Sequence, residues 1–264
     1  MDPAHNYLDA YLDDVLARGR YAVTLAELTD RFDVSDQAIQ QSIYRLKRKG
    51  RLAHVRKGFY AIVPPQYAAR GMVPASLIID DLMGHLERPY YVGALSAAAL
   101  HGAGHQQPMQ FQVMITKPAL RPIRSKTLDI HFFVKKGWHE ADLTEWKTES
   151  GFMQVSSPSL TAFDLVQYNT RIGGLDRIIP ILEDLVERIR PSDLRMTADH
   201  QNVPDIQRLG YLLDRLGNDP LAAVLARRLE TEQLRDVPMS LAHAKRSGER
   251  SAIWSVIVNS ELDI

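Results

Sequence analysis

The order of three short helical patterns and a hairpin near the start of the chain constrains its fold more than any other feature. Apolar residues at helical spacing predict a first helix over 6–18 and a second over 24–32. A tight turn separates the second pattern from a third helix, which Ser35 caps and which runs to about Lys49. A tight turn between the second and third helices is typical of a helix-turn-helix unit.

Two β-like runs follow the third helix, at 51–55 and 59–63. The short turn between them contains Gly58, and a glycine in such a turn predicts a β-hairpin. A Pro-Pro pair then closes the unit. Three helices followed by a hairpin predict a winged helix-turn-helix domain over residues 1–66.

The formal net charge of the chain is zero, but the charges are segregated along it. Residues 1–36 contain eight acidic and three basic side chains, whereas residues 37–79 contain eight basic side chains and no acidic one. Residues 137–264 are acidic again, with a net charge of −6. Such asymmetry indicates an anion-binding region, with an ordinary solvated basic face as the alternative.

The basic segment coincides with the predicted third helix and with the predicted hairpin, which is the wing of such a domain. Amide and guanidinium groups on an exposed recognition helix read base edges in the major groove, and basic side chains beside it bind phosphates. Tyr44 is the weakest candidate on this helix, because it could instead lie under the wing as part of the core. We therefore predict DNA contacts by Gln37, Gln40, Gln41, Arg45, Lys47, Arg48, Lys49, Arg51, Arg56 and Lys57. A wing that mediates protein contacts is the alternative.

Residues 67–264 mix helical and strand patterns, which predicts a second domain of the α+β class. Helices are predicted over 75–86, 90–102, 160–166, 175–189, 203–216 and 221–229, and strands over 111–116, 128–134, 152–156 and 253–259. The linker between the first two of these strands is basic. Its members Lys117, Arg121, Arg124 and Lys126 form either a secondary nucleic-acid contact or a solvated loop.

Several classes of function are disfavoured by what the sequence lacks. With no cysteine, the chain has no disulfide framework, thiolate metal site or cysteine nucleophile. No nucleotide-binding or hydrolase motif occurs at a strand-to-helix junction. Glycines between His101 and His105 break a helical metal-ligand pair, so a hydrogen-bonded structural role is favoured for His101. We expect no enzyme, metal or cofactor, and we expect a cytoplasmic protein without signal peptide or membrane span.

Two segments of the second domain carry a family resemblance. The run from Tyr91 to Gly102 is similar to an aromatic-x-x-x-x-Ser-Ala…His-Gly motif, and Val155 to Leu165 is similar to a strand-to-helix junction. Together with the winged helix, these segments resemble the AbiEi family, the antitoxins of type IV toxin–antitoxin systems. The family commonly has a Glu-Arg pair where this chain has Ser159 and Leu160.

The resemblance implies two activities. The N-terminal domain is expected to bind double-stranded operator repeats and repress its own transcription. The C-terminal domain is expected to counteract a nucleotidyltransferase-like toxin, by a route that need not involve a stable complex. The alternatives are a ligand-responsive winged-helix transcription factor without a toxin partner and, in a different class, a nucleotidyltransferase-like enzyme.

Overall fold

The computed structural model describes residues 3–104, 108–240 and 248–259. The chain divides into two compact units. The first comprises Met1–Tyr91, Met109–Lys136 and Glu145–Gln154, and the second comprises Val92–Pro108, Gly137–Thr144 and Val155–Ile264. The predicted division of the sequence at residue 66 follows the winged-helix motif and stays a prediction.

The first unit begins with a winged helix. Its elements are α1 Pro3–Ala17, β1 Ala22–Thr24, α2 Leu25–Arg31, α3 Asp36–Arg48, β2 Leu52–Arg56 and β3 Phe59–Ile62. The three strands form an antiparallel sheet in the order β1-β3-β2. The predicted winged helix-turn-helix is therefore confirmed. Strand β1 was not predicted, because it is three residues long and ends at the residue that caps α2.

Side-chain caps on α2 and α3, and an apolar core shared by all three helices, explain why these residues form the helices. Thr24 Oγ1 accepts a hydrogen bond from the Glu27 amide at 3.0 Å, and Ser35 Oγ accepts one from the Ala38 amide at 3.3 Å. Each bond satisfies an amide that the first turn of a helix leaves unpaired. The core is built from apolar side chains of all three helices and the sheet. They include Leu8, Leu12, Val15, Leu28, Ile39, Ile43, Leu46, Leu52 and Ile62.

A six-stranded mixed sheet follows in the chain. After α4 Ile79–His85 come β4 Tyr90–Val92, α5 Ala94–Leu100, β5 Phe111–Ile115, β6 Ile123–Arg124, β7 Asp129–Val134, β8 Leu143–Thr148 and β9 Gly151–Ser156. The strand order is β6-β7-β5-β4-β9-β8. Strand β5 pairs in parallel with β7, β4 in parallel with β9, and β6 antiparallel with β7.

Two of the predicted helices in this region differ from the structure. The predicted helix over 75–86 consists of a 3₁₀ turn, Ala75–Leu77, followed by α4. The predicted helix over 90–102 begins with strand β4 and becomes helical only after Gly93. Aromatic and β-branched residues suit a buried strand, and the alanine-rich segment that follows obscured this change of period.

The remainder of the second unit is mainly helical. Its helices are α6 Pro158–Ile172, α7 Leu175–Val186, α8 Pro191–Ala198, α9 Val203–Arg215 and α10 Asp219–Leu229. A small sheet of β10 Val237–Pro238, β11 Glu249–Arg250 and β12 Val256–Val258 follows, in the order β10-β12-β11. The predicted α+β class is confirmed. None of the helices in the described ranges has both the length and the apolarity that a bilayer span requires.

Candidate nucleic-acid interface

The outer face of α3 is a stripe of polar and basic side chains. Ile39, Ile43 and Leu46 are buried, whereas Gln37, Gln40, Gln41, Arg45, Lys47 and Arg48 are exposed. Ser35 caps α3 and thereby fixes where the helix starts, which places the three glutamines in its first two turns. Amides in these turns are where a recognition helix meets base edges. The stripe therefore has the chemistry and the position for major-groove contacts.

Tyr44 belongs to this stripe and is not part of the core, the alternative that its position near the hairpin had left open. Its side chain is 61% exposed. It follows Gln37 by seven residues and precedes Arg48 by four, which is the spacing of one helical face. This spacing can be read from the sequence and indicates an exposed Tyr44. An aromatic residue next to a predicted hairpin was equally compatible with the core.

Two of the predicted DNA contacts are engaged by the acidic first helix. Lys49 Nζ lies 3.6 Å from an Asp9 carboxylate oxygen, and an Arg51 Nη atom lies 2.5 Å from an Asp13 carboxylate oxygen. The two aspartates are four residues apart and so share one face of α1. These positions indicate what the acidic segment does: its carboxylates partly neutralise the cations that follow α3.

The wing tip is held in place by two hydrogen bonds. The Leu25 amide donates to Gly58 O at 2.7 Å, and His85 Nε2 lies 3.2 Å from Lys57 O. Because a carbonyl oxygen only accepts, His85 Nε2 carries the proton in this bond. Gly58 has a φ of +72°, which glycine adopts at little cost. The anchored turn presents Arg56 and Lys57 beside it.

A groove of about 410 Å³ separates the wing from the basic linker of the sheet. Arg56 and Lys57 line one side, Arg121 and Arg124 line the other, and all four belong to the first unit. Arg56 Nη1 donates a long hydrogen bond of 3.4 Å to Arg121 O, which ties the two sides together. The structure thus brings together two of the four basic linker residues with the wing, although more than sixty positions separate them in the sequence.

Arg124 is oriented by neighbours on strand β7. Its Nη2 lies 3.2 Å from His131 Nε2, and its Nε lies 3.6 Å from an Asp129 carboxylate oxygen. These contacts place the guanidinium beside the groove, with most of the side chain exposed. Lys117 and Lys126 are exposed but do not line the groove.

His101 has the structural role that the sequence favoured. It is the C-cap residue of α5, and its Nε2 lies 2.7 Å from Ser156 O, to which it donates. Burial lowers the pKa of His101 below its usual value, which is consistent with a neutral ring. No group of three potential metal ligands occurs within residues 3–104, 108–240 and 248–259, and His105 lies outside these ranges.

Residues 91–215 match the family model of the AbiEi antitoxin C-terminal domain. Residues 11–63 match that of the transcriptional regulator, AbiEi antitoxin. The chain is a member of the AbiEi antitoxin family. The predicted roles of antitoxin and transcriptional regulator are thus confirmed at the level of the family.

The overall fold of this AbiEi protein is also found in a solved structure. The crystal structure of the RV2827C protein from Mycobacterium tuberculosis superposes with a TM-score of 0.66 at 19% sequence identity. The match covers 96% of this chain and 91% of that one. At this identity the comparison shows a shared fold. No curated protein matches the sequence.

Proposed function

We propose that this AbiEi protein represses its own operon by binding double-stranded operator repeats through the winged helix. The observation that carries the proposal is the exposed stripe of α3, which stands beside a wing and a groove that are both cationic. Gln37, Gln40, Gln41 and Arg45 are assigned to base edges. Lys47, Arg48, Arg56 and Lys57 are assigned to phosphates, with Arg121 and Arg124 extending the phosphate contact.

The remaining basic candidates are given lesser roles. Lys49 and Arg51 are paired with Asp9 and Asp13, so no direct DNA contact is assigned to them. Lys117 and Lys126 lie outside the groove and are assigned to the solvated part of the linker.

Single substitutions in α3 test whether the helix reads sequence. We expect Arg45→Ala to reduce the preference for operator over random duplex by about 1–3 kcal/mol, because a base contact is lost. Arg48→Ala is expected to weaken binding to both duplexes alike and to reduce the salt slope by about 0.9, because a phosphate contact is lost. Electrophoretic mobility shifts with the region upstream of the gene, at several salt concentrations, measure both effects.

Arg18→Ala is the matched control for these variants. Arg18 is an exposed residue of the same domain that pairs with Asp14, so this change also removes one positive charge. We expect it to leave operator affinity and salt slope nearly unchanged. Wild-type affinity and slope in both α3 variants would refute the assignment of α3 as the recognition helix.

We further propose that the protein counteracts a nucleotidyltransferase-like toxin encoded beside it, with residues 67–264 as the antitoxin domain. The support is the match of residues 91–215 to the antitoxin domain of the family. Because the first compact unit extends beyond residue 66, removing the winged helix would cut through that unit. A full-length variant that cannot bind DNA is therefore the better test.

The Arg45→Ala/Arg48→Ala double variant, expressed with the neighbouring gene from an unrelated promoter, separates the two activities. We expect growth to be rescued as by the wild type, because neutralisation would not depend on the DNA-binding face. Loss of rescue at equal protein level would contradict the separate antitoxin role.

A further inference from the structure

His54 lies in the groove between the wing and the basic linker. It is an exposed residue of β2, it lines the groove with Arg56 and Arg121, and its ring meets the Tyr60 ring edge-on at 5.7 Å. His54 and Arg56 are two residues apart on β2, which is the spacing of one face of a strand, and both line the groove. The pairing of β2 with β3 shifts register between them. The position of His54 is thus determined by β2, which is also one of the two strands that form the wing.

The charged groups that surround His54 are cations on three elements. Lys47 approaches from α3, Arg56 and Lys57 from the wing, and Arg121 and Arg124 from the linker. The groove is lined by no carboxylate among the described residues. Asp129 pairs with Arg124 at a distance of 3.6 Å and does not itself line the groove. Tyr60 adds an aromatic ring and no charge.

This environment disfavours a positive charge on the imidazole in the absence of DNA. Partial desolvation of the ring by the walls of the groove, and next the charge of Lys47, lower the pKa of His54 below its usual value. A phosphate in the same groove would reverse the sign of the local potential and stabilise the imidazolium. The groove therefore supplies what proton linkage requires: a histidine that is neutral when free and a ligand that is anionic.

We propose that the groove holds a DNA phosphate and that His54 takes up a proton when this phosphate binds. The inference rests on the proposed function as a DNA-binding protein, and it adds a residue and a pH dependence to that function. His54 would be a phosphate contact in its own right, neutral in the free protein and charged in the complex.

The sign of the pH dependence follows from linkage. Because the bound state holds one more proton than the free state, affinity increases as the pH falls from the bound-state pKa of His54 to its free-state pKa. One linked proton changes affinity by at most about tenfold per pH unit. The contact is to a phosphate, so random duplex and operator duplex should show the same effect.

The test is the affinity of the full-length protein for operator and random duplexes at constant ionic strength between pH 6 and 8. For the wild type we expect tighter binding at the lower pH, by about three- to tenfold per unit at the steepest point. His54→Gln should bind as the wild type does at high pH and should lose this increase. His54→Lys should bind at every pH about as tightly as the wild type does at low pH.

His139→Gln is the control, because His139 is an exposed histidine of the second unit. It should retain the wild-type pH dependence. Thermal unfolding of each variant checks that the fold is intact, and His54→Lys provides a second, gain-of-affinity readout should His54→Gln lower stability. Equal pH dependence in the wild type and His54→Gln would overturn this inference alone. Absence of DNA binding by the wild type at every pH would overturn the proposed function as well.

Discussion

At the scale of single residues, Gly210 shows how strictly one position can be determined by packing. It lies within α9, and a Cβ atom added there would come within 2.0 Å of the Trp254 ring. Trp254 is almost fully buried, and its indole N–H donates to an Asp214 carboxylate oxygen at 3.1 Å. The ring cannot move away without losing this bond and the packing that buries it.

We expect Gly210→Ala to lower the free energy of unfolding by about 2–3 kcal/mol, because the added methyl group would overpack a closed core. Gly84→Ala is the matched control: Gly84 is also helical, and a Cβ atom there meets nothing within 4 Å. That change should raise stability by about 0.5–1 kcal/mol through helix propensity. Urea unfolding followed by circular dichroism measures both, and equal effects of the two substitutions would contradict the packing argument.

At the scale of secondary-structure elements, α1 acts on α3 through charge as well as through packing. Apolar residues of α1 are part of the core of the winged helix, while Asp9 and Asp13 pair with Lys49 and Arg51. Exposed ion pairs add little stability. Their larger effect is on the potential near the proposed DNA face, where each carboxylate cancels a nearby cation.

We expect Asp9→Asn/Asp13→Asn to tighten binding to random duplex severalfold and to steepen the salt slope by up to about 0.9 for each cation that gains a phosphate contact. The physical reason is that Lys49 and Arg51 are released from their ion pairs. Asp14→Asn is the control, because Asp14 pairs with Arg18 and not with the end of α3. Fluorescence anisotropy over a range of salt concentrations measures this, and equal responses per carboxylate removed would argue for a general charge effect.

The elements also show where sequence periodicity suffices and where it does not. The winged helix was predicted closely because α2 and α3 each carry a cap and a clear apolar stripe. Strand β8, at the edge of the six-stranded sheet, was not predicted, because apolar and polar residues do not alternate in its sequence. Strand β4 was read as helix, because three residues are too few to establish a period of two.

At the scale of the whole molecule, the cationic surface of the first unit is assembled from distant parts of the chain. The wing supplies Arg56 and Lys57, and the linker before β7 supplies Arg121 and Arg124. The proposed phosphate contact thus extends from the winged helix onto the sheet of the same unit.

We expect Arg121→Ala/Arg124→Ala to weaken binding to operator and random duplexes alike and to reduce the salt slope by up to about 1.8, since two phosphate contacts would be lost. Lys117→Ala/Lys126→Ala removes the same charge from the same linker but outside the groove, and it should change the slope far less. Parallel salt titrations of the two double variants give the comparison. Indistinguishable slopes would mean that the groove itself has no special part in binding.

The sequence by itself determined the winged helix, the α+β class, the exposed face of α3 and the resemblance to the AbiEi family. These depend on local signals, namely caps, apolar periodicity and charge, which act over a few turns of chain. Only the tertiary structure decided that Lys49 and Arg51 are paired with α1 and that Arg121 and Arg124 face the wing. It also decided that His54 lies among cations. Such contacts depend on how the sheet of the first unit positions distant segments, and no local pattern in the sequence records that arrangement.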